Sequence, residues 1–266
     1  MTRVEASPDL LGAIVAAART AVTEREAGCP LARLVKGQSF QPRREAFTAA
    51  LRAPAAPRII AECKRRSPSR GILRQSYEPA AHARSYAAAG AAAISVLTEP
   101  TFFDGALSHL AAVRAAVRTP LLRKDFIVTD YQVHEAAAHG ADAVLLIAAA
   151  LDRHELTRLR ELAASVGLAA LVEVHSRMEL ELALDAGAEI IGVNSRNLRT
   201  LEVDLDITAN LATAIPSHII AVAESGITSG DDLRRFAGLG YDAFLVGERL
   251  ITQPDPGAAL EALRTS

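Results

Sequence analysis

Acids, bases and amides stand at the ends of apolar runs in this chain. Glu62 and Lys64 close IIAECK, Lys124 and Asp125 close PLLRKD, and Glu173 follows LAALV. Asn194 and Arg196 end IIGVNSR, Glu224-Ser225-Gly226 ends IIAVAESG, and Gly247-Glu248 ends DAFLVGE. A protonated lysine donates a proton, and a carboxylate accepts one or holds a cation. Crowded together, such groups shift each other's pKa values, which suits acid–base work near neutrality. The small-residue turns at Ser225-Gly226 and Gly247-Glu248 let backbone N–H groups approach an anion such as a phosphate. In a strand, residues i and i+2 share a face, so Glu62 and Lys64 point together and Cys63 points away. A solvated strand edge would show the same pair, so the elements that carry these groups must decide.

Eight short runs rich in leucine or β-branched residues recur: 57–64, 92–99, 120–126, 142–148, 168–174, 189–195, 218–225 and 242–248. Alanine-rich amphipathic segments lie between them, among them EPAAHARSYAAAG, DRHELTRLRELAASVG and SGDDLRRFAGLG, several ending in glycine as helix C-caps do. The runs are nearly continuous in apolar residues, which suits parallel strands covered on both faces. Eight strand–helix units predict an α/β fold of (β/α)8 TIM-barrel type. A doubly wound open sheet would commonly carry GxGxxG after its first strand, whereas here RRSPSRG follows. Residues 1–56 read as helices with no linker composition behind them. The expectation is therefore a single domain over 1–266: a barrel at 57–266 and a helical N-terminal extension at 1–56 that caps it. In such barrels the chemistry sits at the C-terminal strand ends, where the residues named above fall.

Composition narrows the class further. With 29 basic and 31 acidic residues the formal net charge is −2, so no basic excess points to nucleic acid. No run approaches the length of a membrane span, and the N-terminus lacks a basic start with a clean apolar stretch, so no secretory signal is expected. Cys29 and Cys63 are far apart without CxxC spacing, which suits a reducing compartment and a cytoplasmic protein. His134, His139, His154 and His175 share no strand-end placement in this reading, and HEAAAH spaces its histidines wrongly for one metal, so no metal site is expected.

The same stretches carry a family resemblance. IAECKRRSPSRG, SVLTEPTFFDG, LLRKDFI, LVEVH, IGVNSRNL, AESGI and FLVGE, in this order from about residue 59 to 250, resemble the indole-3-glycerol phosphate synthases. The resemblance implies a carbon–carbon carboxy-lyase of tryptophan biosynthesis. It would convert 1-(2-carboxyphenylamino)-1-deoxyribulose 5-phosphate to indole-3-glycerol phosphate, CO2 and water, without a cofactor. It implies Lys124 as general acid of ring closure, Glu173 as the acid–base group of the later dehydration, and Lys64 as a substrate contact sharing in acid catalysis. Glu62, Asn194 and Glu224 resemble the frame that positions these groups. Arg196 and Ser69 resemble substrate-binding residues, Phe126 and Leu145 the apolar wall against the anthranilate ring, and Ser225, Gly226, Gly247 and Glu248 the phosphate pocket. The partner is then a small sugar phosphate, with neither nucleic acid nor membrane, and the chain a monomer or weak oligomer. Three features differ from the family's habit: an alanine-rich first helix, Ser195 where asparagine is common, and Arg249 where a small residue is frequent.

Other functions fit parts of this pattern. An isomerase or a Schiff-base aldolase would share the phosphate turns, with Lys64 or Lys124 as nucleophile, and a catalytically dead barrel would be a scaffold. The loop Arg65–Gly71, with Pro68 between two serines, reads as a mobile lid.

Overall fold

The computed structural model describes residues 9–54 and 57–266. The expected helical extension over 1–56 therefore includes residues 1–8, 55 and 56, which lie outside the described residues. Within them, three helices precede the sheet: α1 (Leu10–Gly28), α2 (Leu31–Lys36) and α3 (Arg44–Arg52).

All eight expected strands form, each trimmed at its ends. They are β1 (Arg58–Cys63), β2 (Ala93–Leu97), β3 (Leu121–Lys124), β4 (Ala143–Ile147), β5 (Ala169–Val174), β6 (Ile190–Asn194), β7 (Ile220–Glu224) and β8 (Ala243–Val246). Each pairs in parallel with its sequence neighbour, and β1 pairs with β8 to close the barrel. Helices follow the strands in turn, such as Pro79–Ala88 after β1, Asp130–Ala138 after β3 and Arg153–Ser165 after β4. The (β/α)8 expectation holds.

Continuous apolar runs were needed because each strand serves two cores. Ile59, Ala61 and Cys63 of β1 pack outward with Val144, Leu146, Val172 and Val174 beneath the helices. Ile60, Leu122, Leu145, Leu171, Val222 and Leu245 pack inward along the barrel axis. Since successive residues face opposite ways, the inward series continues at the C-terminal rim as Glu62, Lys124, Glu173, Asn194 and Glu224. Apart from the buried Ser95 the interior below is apolar, so the charged groups of these strands' inner face gather at that rim.

The N-terminal helices attach at two places. Phe47 and Leu51 of α3 are fully buried against the inward core that includes Ala93, Ala143, Ala169 and Ala243, the first residues of their strands, so α3 closes the lower end. Just before α3, Arg43 Nε donates to the fully buried Asp142 at 3.0 Å, and Arg114 Nη1 donates to the same carboxylate at 3.0 Å. On α1, Arg25 Nε and Nη2 grip Glu135 at 2.6 and 3.0 Å. Glu135 also lies 3.4 Å from Arg123, whose guanidinium donates to Asp125 at 2.8 Å. Asp125 thus pairs with Arg123 beneath the helices, not with its neighbour Lys124.

The segment after β1 is structured: Arg66–Ser67 and Gly71–Ile72 form a small antiparallel hairpin. Arg65 contacts Asp104 beyond β2, and Arg70 Nη1 reaches Glu248 Oε1 beyond β8 at 2.5 Å. Among the described residues no helix is long and apolar enough to cross a membrane.

Candidate active site

A cavity of about 540 Å³ opens at the C-terminal end of the barrel. Every residue singled out from the sequence lines it: Glu62, Lys64, Ser69, Lys124, Phe126, Leu145, Glu173, Asn194, Arg196, Glu224, Ser225, Gly226, Gly247 and Glu248. Pairing of adjacent strands explains the convergence. Asn194 lies in register with Glu224, Ile147 with Glu173, and Leu97 with Lys124, so each rim residue sits at or beside the last paired residues of its strand.

The floor of the cavity is an ionic cluster. Lys124 Nζ donates to Glu173 Oε2 at 3.0 Å and lies 3.6 Å from Glu224 Oε2. Lys64 Nζ meets Glu62 Oε2 at 2.5 Å. The three carboxyl groups are almost inaccessible to water, so each charge depends on its neighbours. Burial alone would drive the Lys124 ammonium to shed its proton, but Glu173, Glu224 and Glu62 outweigh that and hold its pKa above the ordinary lysine range. Burial likewise opposes ionisation of Glu173, yet Lys124, His175 and the Asn194 amide hold its pKa well below the carboxylate range. Glu224 goes the other way. Neither of its oxygens accepts a hydrogen bond, and burial beside the ionised Glu173 pushes its pKa up to about 8 despite Lys124. A buried carboxylate without hydrogen bonds costs far more than a buried neutral acid. Lys124 therefore stands between a carboxylate whose pKa is held low, Glu173, and one whose pKa is pushed up, Glu224, a pair of environments able both to give and to take protons.

Space for the carboxyls comes from glycines. A Cβ on Gly192 of β6 would overlap Glu224 Oε1, and one on Gly247 would overlap Glu62 Oε2. Gly192 was not among the expected site residues. The signal available was a glycine inside a strand, which marks close approach by another group.

One side of the cavity is apolar, with Leu97, Phe103, Phe126, Leu145 and Ile147. The Phe103 and Phe126 rings lie 6.2 Å apart and tilted. From α1, Leu10 and Ile14 also reach the lining, so the first helix contributes apolar surface here. On the opposite side stand the two turns. Ser225 and Gly226 both have left-handed backbones, with φ of 65° and 74°. For serine that conformation carries strain, which surrounding structure must sustain. Glu248 starts a short helix, Glu248–Ile251, directly after Gly247. Its carboxylate does not turn freely outward: Arg70 holds one oxygen, and Arg196 Nη2 lies 4.0 Å from the other. Arg196 is fixed in turn, its N–H donating to Asn194 Oδ1 at 2.9 Å and its Nη1 to the Leu201 carbonyl at 2.8 Å.

His175 was passed over in the sequence because it matched no metal spacing. It follows β5 directly and stands two residues beyond Glu173, the spacing that joins Glu62 to Lys64. Among the described residues no cluster of metal-ligating side chains occurs.

Comparison with known proteins agrees with this geometry. The family model for indole-3-glycerol phosphate synthase matches residues 11–263. The indole-3-glycerol phosphate synthase of Mycobacterium sp. (strain KMS) is 51% identical over 261 residues, covering 98% of this chain and 95% of that protein. Its counterpart in Saccharopolyspora erythraea is 49% identical over 257 residues, covering 97% and 95%. Among solved structures, a thiamine phosphate pyrophosphorylase from Pyrococcus furiosus superposes with a TM-score of 0.61 at 21% identity, over 78% of this chain and 94% of that one. KGPDC from Streptococcus mutans gives 0.60 at 16%, over 79% and 96%. These two share the barrel, and at such identities they speak for the fold alone. Half of all positions retained over nearly the full length, together with a family match that spans α1 to the last helix, make this chain a member of the indole-3-glycerol phosphate synthase family.

Proposed function

We infer that the chain is an indole-3-glycerol phosphate synthase, a carboxy-lyase of tryptophan biosynthesis. It converts 1-(2-carboxyphenylamino)-1-deoxyribulose 5-phosphate to indole-3-glycerol phosphate, CO2 and water. The observation that best supports a working catalyst is the contact of Lys124 with both Glu173 and Glu224 on the floor of one cavity, where the first carboxyl has its pKa held low and the second pushed up.

In our reading the anthranilate ring rests on the Phe126 and Leu145 side, and the phosphate meets the backbone N–H groups of Ser225, Gly226, Gly247 and Glu248. Lys124 gives its proton to the ketone oxygen as the ring carbon attacks the carbonyl, which forms the C–C bond and leaves an alcohol. Loss of CO2 returns the bond electrons to the ring, eased by an apolar wall that solvates carboxylate poorly. Glu173 serves the final elimination, in which the hydroxyl leaves as water and a ring proton is removed. Lys64, held by Glu62, shares in acid catalysis, Asn194 and Glu224 hold the frame, and Arg196 and Ser69 bind substrate. Arg196 would face the substrate carboxylate once freed from Glu248. Every one of these groups comes from one chain, which supports a monomer or weak oligomer, and free cysteines at 29 and 63 support a cytoplasmic setting. We read the chain as one domain, with the helices before β1 as its extension.

The test is direct. The chain contains no tryptophan, so indole fluorescence appearing on addition of the carboxyphenylamino-deoxyribulose phosphate rises from a dark background. Absence of that signal in folded protein would refute the assignment. Borohydride added with a carbonyl substrate should leave Lys64 and Lys124 unmodified, whereas a trapped adduct would point to an aldolase.

A further inference from the structure

The spacing of Glu173 and His175 has a geometric outcome that the reaction scheme leaves unused. His175 Nε2 lies 3.4 Å from Glu173 Oε1, buried and otherwise without a partner. On the far side of the ring, Nδ1 lies 3.1 Å from Glu179 Oε2. The same oxygen accepts the His175 backbone N–H at 2.8 Å. Glu179 belongs to the first turn of the helix Arg177–Asp185, whose N-cap, Ser176, accepts the Glu179 N–H on its hydroxyl at 3.2 Å. Helix, glutamate and imidazole therefore form one rigid chain ending on Glu173. The two oxygens of Glu173 are divided between cations, with Oε1 toward His175 and Oε2 toward Lys124.

We propose that His175 is a positioning residue for Glu173: anchored by Glu179, its imidazolium turns the carboxylate so that Oε2 faces Lys124 and the substrate space, and keeps it ionised between turnovers. The proposal rests on the acid–base role of Glu173. Burial disfavours the charged ring, but the flanking carboxylates of Glu173 and Glu179 raise its pKa to about 9, so it is charged at neutral pH. The other groups facing Glu173 are Lys124 from β3, Glu224 from β7 and the Asn194 amide from β6. Of these only Lys124 is cationic, and it is the group given the task of losing its proton in ring closure. A second, fixed cation keeps Glu173 from being left beside Glu224 without a charge partner at that moment. A capping role for His175 and Glu179 would account for the helix contacts but not for the ring's approach to Glu173.

His175→Gln keeps a donor and removes the charge, and Glu179→Gln loosens the outer anchor at a partly exposed position. We expect His175→Gln to lower kcat about tenfold, a share of the ordinary acid–base contribution, with KM little changed. The acidic limb of kcat against pH should move upward, because a carboxylate that loses a neighbouring cation is protonated more readily. Glu179→Gln should move it the same way by less. In wild type, the His175 ring should titrate above neutrality by NMR, and in Glu173→Gln it should titrate lower. Unmoved pH profiles in both variants, with only a lowered melting temperature, would overturn the proposal. If His175→Gln does not fold, the profile of Glu179→Gln decides. If Glu173→Gln itself keeps full turnover, the reading of Glu173 has failed. If Glu173→Gln is inactive while His175→Gln is silent, only the positioning role has.

Discussion

Lys124 faces two buried carboxyl groups, Glu173 and Glu224, and the conflict between them pushes the Glu224 pKa up to about 8. The contribution of Glu224 to stability therefore depends on pH. A group whose folded pKa is raised stabilises the fold fully below its unfolded pKa and loses that contribution as pH rises through the folded value. Here the window runs from about pH 4.5 to about 8. Glu224→Gln, which stays neutral throughout, should lack the decline. Calorimetry across that window is expected to show the variant gaining on wild type toward the alkaline end; parallel curves would mean that Glu224 is ionised in the fold. For Lys124 the expectation is kinetic: Lys124→Met should lower kcat about 10²-fold or more with a smaller change in KM, the usual scale for loss of a general acid. Near-wild-type turnover in that variant would remove Lys124 from the mechanism.

At the level of elements, the strands carry their instructions locally and the connections do not. Every barrel strand was legible, because a strand covered on both faces must be apolar almost throughout and its polar end then stands out. Glu62, Lys124, Glu173, Asn194 and Glu224 could be read for that reason. The hairpin beyond β1 could not, since arms of two residues carry no period. It folds as a hairpin, joined to the β2 and β8 loops by ion pairs of Arg65 and Arg70 that a lid would have to break on opening. Gly192 escaped because its reason, the Glu224 side chain, belongs to the next strand. His175 escaped because histidine was weighed as a metal ligand, not as the partner of a residue two positions earlier. The helices before β1 also depend on distant partners. Arg25→Ala should leave Glu135 with Arg123 alone and lower stability by about 1.5–3 kcal/mol, the range for hydrogen bonds to charged groups. Denaturant titration measures this, and a loss under about 0.5 kcal/mol, the scatter of ordinary surface substitutions, would show that α1 is held by its apolar face.

Across the whole molecule, the barrel is a general platform and its rim the particular one. Barrels at 16–21% identity share the architecture, and the isomerase, aldolase and scaffold readings were open on fold alone. What separates them is the set of groups on the inner face above the apolar layers. The scaffold reading sits poorly with buried charges that burden the fold and do nothing for its packing.

Joining β1 to β8 sets Arg58 beside Ala243 and Ala61 beside Val246. The space above Gly247 then holds the carboxylate of Glu62. Residues from opposite ends of the barrel's sequence thus share one corner of the cavity, with nearly the whole barrel chain between them. Loop closure over such separations is slow compared with local pairing. Refolding from denaturant should accordingly restore far-ultraviolet ellipticity first and turnover later, with a population in between that has its strands and helices but an open seam. Such a population would bind the phosphate end of the substrate poorly, because Gly247 and Glu248 belong to the last strand's turn. Simultaneous recovery of ellipticity and turnover in a stopped-flow experiment would mean that the seam forms with the rest of the barrel.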